Sequence, residues 1–229
     1  MEFMLPNGQV PTQTAATLVA QLAELAGQRF GSSQDATAAV LRTISAILKM
    51  RTSWVSDIDF SSNELLIASA HNEPGGCDVE PGGTAPLFDT FCSMAAAIAE
   101  PVPLIIQDVR HDKRFAGGRA AKAFPNIGSY VGVPLILSDA TVVGTLCASD
   151  PDPRPISTQQ VELVTVLSRL MATQIERDIE LEARVQAEQR NRLLASIVEN
   201  SQDAIYGRTI DGIVTSWNPA AERLYQYTA

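Results

Sequence analysis

An α+β fold, a central antiparallel sheet with helices on one face, is predicted by three stretches of the sequence. Residues 129–136 and 142–150 are runs rich in β-branched and aromatic residues around a polar turn, Leu137-Ser138-Asp139-Ala140, which reads as a β-hairpin. Both runs are apolar at nearly every position, so both faces of this part of the sheet should be covered. A second hairpin is expected where Thr52–Phe60 and Glu64–Ala70 flank Ser61-Ser62-Asn63. Helical stripes stand before and after these strands, the last of them very long.

In chain order, residues 1–11 read as a lead-in. Ala15, Leu18, Val19, Leu22, Leu25 and Ala26 recur at helical spacing after a cap at Thr12 or Thr14. Ser33 starts the next helix, with Val40, Leu41, Ile44, Ile47 and Leu48 on one face. In the strand that follows, Trp54, Ser56, Ile58 and Phe60 share one side and Asp57 and Asp59 the other. Asn72–Pro86 is a glycine-containing loop. It lacks the Gly-Lys-Ser/Thr ending of a phosphate-gripping loop. A short helix from Phe91 to Ala99, capped by Asp89 or Thr90, a strand at Leu104–Ile106 and a small helix at Arg119–Phe124 lead into the first hairpin described.

Pro151-Asp152-Pro153-Arg154-Pro155 breaks regular structure, and Ser157 with Gln160 forms a capping box. From there to Val198 neither Gly nor Pro occurs, which permits one helix roughly 60 Å long. Val164, Leu167, Met171, Ile175, Asp178, Leu181 and Val185 approximate a heptad seam with Asp178 as its flaw. Mixed charges dominate Glu176–Arg192, so the expectation is a connector helix paired with a second copy. Two short strands around Asp211-Gly212 and a helix from Asn218 close the chain, too little to build a core of their own.

Composition narrows the function. At 45% apolar and 19% charged residues the chain is globular rather than disordered. Its net charge of −9, without a basic cluster, opposes nucleic acid and anionic membrane as partners. No apolar run approaches the roughly 18 residues of a membrane span, and the first residues do not read as a secretory signal. Three widely spaced cysteines suit a reduced compartment better than a disulfide framework, so a cytoplasmic location is expected. The two histidines, His71 and His111, lack zinc-site spacing, and no metal site is expected.

The stretch Ser129-Tyr130-Val131-Gly132-Val133-Pro134-Leu135 through Gly144-Thr145-Leu146-Cys147-Ala148-Ser149-Asp150, followed by prolines and a long helix, resembles the end of a GAF domain. Asp108 to Phe115 resembles the loop such domains carry after a middle strand, and the resemblance covers about Ser33 to Ile179. Ile197–Tyr206 with Asp211–Leu224 resembles the first quarter of a PAS domain. The implied organisation is a lead-in at 1–11, a GAF domain with its N-terminal helix at 12–156, a connector helix at 157–198 and a partial PAS domain at 199–229. The resemblance implies a sensory input module of a bacterial-type histidine kinase or cyclic-di-GMP enzyme whose catalytic output lies beyond Ala229. A homodimer through the N-terminal and connector helices and a small-molecule ligand are the expected partners. No cofactor is identified.

Some GAF domains bind cyclic nucleotides in a pocket over the sheet. By placement, Trp54, Phe91, Asp108, Tyr130 and Thr145 are the candidate lining here, with ordinary core and rim as the plainer reading. Cys92 joins them because a thiol near a helix N-terminus can have a lowered pKa, which suits a sensor. The plain reading of Cys92 and Cys147 is small core residues. One GAF branch, the free methionine sulfoxide reductases, works through cysteines in comparable loops, but Phe124-Pro125-Asn126-Ile127-Gly128 has none where that branch would carry its reactive thiol. The absence of a Cys-His pair argues against a bilin photoreceptor. No phosphoacceptor box or cyclase signature occurs, so no catalytic residue is expected. The alternatives are a dimerisation module without ligand and, further off, a thiol enzyme.

Overall fold

The computed structural model describes residues 31–97 and 101–226, and the chain divides after Gln174 into two compact units. The helix expected around 15–26 and the end of the one expected at 91–99 lie outside the described residues.

In the first unit, helix α1 (Ser33–Leu48) begins at Ser32, whose hydroxyl accepts from the Asp35 N–H, and ends on Lys49 in the left-handed region at φ 56°. A six-stranded antiparallel sheet follows. Its strands are β1 (Thr52–Asp59), β2 (Glu64–Asn72), β3 (Thr84–Pro86), β4 (Leu104–Ile106), β5 (Ser129–Ile136) and β6 (Val142–Asp150), in the order β3-β2-β1-β6-β5-β4. The two sequence hairpins are thus β1-β2 and β5-β6, and they meet along β1-β6, where Trp54 pairs with Cys147 and Ser56 with Thr145. Helix α2 is a single turn, Cys92–Ala95, shorter than the alanine-rich sequence predicts. Helix propensity is a weak prior that tertiary context overrides. Thr90 fixes where α2 begins: its hydroxyl donates to the Leu87 carbonyl and accepts from the Ser93 N–H. Helix α3 is Arg119–Ala123.

Strand alternation gives the sheet two different faces. One face carries Ser53 and Val55 of β1 with Val131, Val133, Leu146 and Ala148, and α1 covers it. Ser53 donates to the Leu41 carbonyl and accepts from Ser45, so the polar atoms buried under α1 are paired. Leu41, Ile44, Ile47 and Leu48 of α1 are at most 1% exposed, and each such side chain contributes about 1.5–3 kcal/mol by burial. The opposite face carries Trp54, Tyr130 and Cys147 and is covered by α2, α3 and loops.

Helix α4 (Thr158–Glu199) starts at the predicted box: Gln160 N–H donates to Ser157 Oγ, and Ser157 N–H donates to Gln160 Oε1. Its Val161, Val164, Leu167, Ser168, Met171 and Ala172 are buried within the first unit. Three positions of the expected heptad seam, Val164, Leu167 and Met171, are therefore core residues of that unit. The amphipathic stripe is real, and its first turns are buried within the first unit, where Gln160 Nε2 donates to the Ile47 carbonyl of α1.

The second unit holds the rest of α4, a hairpin of β7 (Tyr206–Arg208) and β8 (Val214–Trp217), and helix α5 (Pro219–Tyr225). The strand, Asp-Gly turn, strand and helix expected from the sequence are all present, with Gly212 at φ 87°. Asn218 organises them. Its Oδ1 accepts from the Ile205 and Ala221 N–H groups, and its Nδ2 donates to the Val198 and Asp203 carbonyls.

Candidate functional site

The cavity lies on the sheet face opposite α1 and encloses about 300 Å³. Its floor is Trp54 of β1, Leu65 and Ile67 of β2 and Tyr130 of β5. Phe91 and Cys92 close one side, and Phe124 and Ile127 close another. The remaining wall is the loop from Cys77 to Gly83 with Thr84 and Ala85 of β3. That loop is held against β2 by defined bonds. Asn72 accepts from the Val79 N–H and donates to the Val79 carbonyl; Thr52 Oγ1 accepts from the Cys77 N–H. Ile67 and the Gly82-Gly83 pair exchange two backbone hydrogen bonds of 2.8 Å. Gly82, at φ 82°, takes a left-handed conformation that glycine adopts without strain.

The aromatic floor is tightly nested. Tyr130 lies 5.2 Å from the Phe91 ring and 6.0 Å from Trp54, centroid to centroid. Tyr130 is completely buried, and its ring runs along β5 over Gly132; a Cβ there would fall 2.3 Å from the Tyr130 hydroxyl. Glycine at this position is what lets the hydroxyl reach Cys147, which pairs with Gly132 across the strands. Among the described residues the buried indole N–H of Trp54 has no hydrogen-bond partner.

Behind this floor stands a chain of buried hydroxyls and thiols. Ser56 Oγ and Thr145 Oγ1 are 2.6 Å apart, and the Cys147 thiol donates to Thr145 Oγ1 at 3.1 Å. The Tyr130 hydroxyl sits 3.1 Å from Cys147 Sγ and 3.3 Å from Cys92 Sγ, and the two sulfurs are 3.6 Å apart. Hydrogen bonding, from Cys147 above all, outweighs burial at Cys92 and lowers its thiol pKa to about 6. Burial first, and the Cys92 neighbour second, push Cys147 well up. Burial likewise raises the Tyr130 phenol and, at the cavity wall, the Cys77 thiol.

Of the six residues singled out from the sequence, the structure brings four to the cavity wall: Trp54, Phe91, Cys92 and Tyr130. Thr145 lies behind the wall in the hydroxyl–thiol chain. Asp108 is elsewhere. It lines an open groove with His111, Asp112, Arg114 and the start of α4, where it pairs with His111 Nδ1 at 2.8 Å. Asp112 binds Arg114, and the Arg110 guanidinium donates to the Pro151 carbonyl. The sequence reading did not place Cys77, Val79, Phe124 and Ile127 in the pocket. Their only signal was apolar residues within loops of otherwise polar and glycine character.

A family model described as "GAF domain" matches residues 32–175. The chain belongs to the GAF domain family. This membership identifies a sensory and regulatory type of module. The GAF domain of an Acinetobacter phosphoenolpyruvate-protein phosphotransferase is similar in structure, with 15% identity and a TM-score of 0.56. That match covers 73% of this chain and 96% of the other. The chromophore-binding domain of an unusual bacteriophytochrome from R. palustris matches at 11% identity and a TM-score of 0.58, over 77% of this chain and 64% of that one. The free methionine-R-sulfoxide reductase of Neisseria meningitidis, solved with its substrate, matches at 15% and 0.53, over 72% and 89%. At these identities the likeness is one of fold. A comparison with curated proteins finds no match.

Proposed function

We propose that the GAF domain is a non-catalytic input module whose cavity takes a small, planar, largely apolar ligand that is neutral or cationic. The carrying observation is the lining. Trp54, Phe91, Phe124 and Tyr130 supply aromatic surface; among the described residues no Lys or Arg lines the cavity, and Asp78 and Glu80 do. An apolar cavity with a few polar groups is the usual form of a small-molecule site. A cyclic nucleotide or another phosphate ester would meet two carboxylates and no compensating cation, which costs binding energy. A ligand acceptor placed near Trp54 would satisfy its unpartnered indole N–H.

The relay would run through β6 into α4. The strand that carries Thr145 and Cys147 ends at Asp150, and α4 begins eight residues later with its first turns buried in the same unit. Farther along, Ile179, Leu181 and Val185 of α4 are exposed apolar residues. In a homodimer, the segment from Ile175 onward would pair with its second copy, and a change in cavity occupancy would bias that pairing. The final hairpin and α5 would be the beginning of a PAS domain, and the output would be a kinase or cyclic-di-GMP activity elsewhere in the signalling protein.

Native mass spectrometry of the purified chain tests the reading. The expected result is a dimer retaining a small-molecule mass adduct, with the adduct lost in Ala85→Trp, which fills the cavity. A dimer without adduct, whose stability is unchanged or raised by Ala85→Trp, would favour a ligand-free dimerisation module.

A further inference from the structure

We propose that Cys92 and Cys147 form a redox-responsive dithiol, in which a hydroperoxide entering the cavity oxidises Cys92 and Cys147 then closes a reversible disulfide. The proposal does not depend on the cavity holding any other ligand. The two residues are 55 positions apart in sequence, yet their sulfurs stand 3.6 Å apart. A disulfide needs about 2.0 Å, so closure requires about 1.5 Å of approach, within reach of side-chain rotation and a small shift of the one-turn helix α2. Only one of the pair, Cys92, is on the cavity wall. Cys147 sits behind it with the Tyr130 hydroxyl against both sulfurs. That arrangement separates the roles: Cys92 meets the oxidant and Cys147 resolves.

Cys92 also has the lowered pKa of the pair, and the thiolate is the nucleophile. Its sulfur attacks the O–O bond, takes one oxygen as a sulfenic acid and releases the other as an alkoxide, which leaves as the alcohol with a proton. The Cys147 sulfur then attacks the sulfenic sulfur. The S–S bond forms, the S–O bond breaks, and the hydroxyl departs as water with the Cys147 proton. Two thiols lose two electrons in all, and the peroxide O–O bond is reduced by two. A small dithiol reverses the step by exchange. The third cysteine, Cys77, also lines the cavity, but its thiol is bonded to the Asn126 carbonyl and burial raises its pKa, so it should stay reduced.

The test uses the whole chain, reduced and then exposed to hydrogen peroxide, quenched by alkylation in denaturant and weighed intact. One alkylated thiol of the three should remain, and peptide mapping should join Cys92 to Cys147. Dithiothreitol should restore all three. Cys147→Ser should halt the reaction at a Cys92 sulfenic acid trapped by a cyclic diketone, and Cys92→Ser should protect Cys147. A disulfide through Cys77, or wild-type protein in which Cys92 advances to sulfinic acid while Cys147 stays free, would overturn the proposal.

Discussion

Replacing Asp150 with asparagine tests how the far end of β6 is fastened, next to the exit toward α4. The Asp150 side chain is fully buried and meets Arg51 through Nε at 3.0 Å and Nη2 at 2.6 Å, with Arg154 at 3.2 Å. It also accepts from the Arg51 and Asp152 backbone N–H groups. Burial alone would raise this carboxyl; the bonds from Arg51, the Asp152 amide and Arg154 outweigh it and hold the pKa down to about 2. Asparagine keeps the shape but leaves Arg154 beside a neutral amide and Arg51 with Asp152 as its remaining carboxylate. Because Arg51 and Arg154 are partly exposed and Arg51 keeps Asp152, the loss should stay below the ~3–5 kcal/mol of a fully buried broken pair, at about 2 kcal/mol. The wild-type contribution has a definite pH window. A folded-state pKa below the unfolded one stabilises above the unfolded value near 3.8, and that stability fades as pH falls through about 2. The linkage amounts to about 2 kcal/mol. Urea unfolding followed by Trp54 fluorescence, with Trp217→Phe in the background, isolates the first unit. The gap between wild type and Asp150→Asn should be full at pH 7 and should narrow below pH ~4. Equal midpoints at pH 7, or a gap that ignores pH down to the acid range, would refute the reasoning.

Three further expectations concern the cavity and the helix. Gly132→Ala would place a methyl 2.3 Å from the Tyr130 hydroxyl in a fully buried site, so thermal unfolding should reveal a loss of about 1–3 kcal/mol. Tyr130→Phe removes the hydroxyl that touches both sulfurs; peroxide oxidation of Cys92, timed by quenched alkylation, should slow severalfold while the fold persists. Leu181→Glu with Val185→Glu puts charge on exposed apolar positions of α4. Sedimentation should show the dimer lost with the melting of the first unit unchanged, and an undisturbed dimer would remove that segment from the interface.

The order of the elements was legible because its signals are local. The Ser157/Gln160 box, the polar turn at Leu137–Ala140 and the alternation around Asn63 each act over a few residues, and α4, β5-β6 and β1-β2 follow them. The length of α2 was not legible: the alanine-rich stretch has helix propensity throughout, yet the helix ends at Ala95. Four of the six candidate residues fell on one cavity because strand parity puts Trp54 and Tyr130 on the same sheet face. Asp108 did not, because the loop that carries it lies over a separate groove beside the start of α4.

What the sequence determined by itself is which residues share a strand face or a helix stripe, since 2.0- and 3.6-residue periods are properties of the backbone. Which element covers each face was decided only in three dimensions. Val164, Leu167 and Met171 have the spacing of an interhelical seam, yet they are buried within their own unit. Arg51 and Asp150 are 99 residues apart, and Cys92 and Cys147 are 55 apart. No local pattern encodes such pairs, because they arise from how β1 and β6 register against one another and from where α2 is set down.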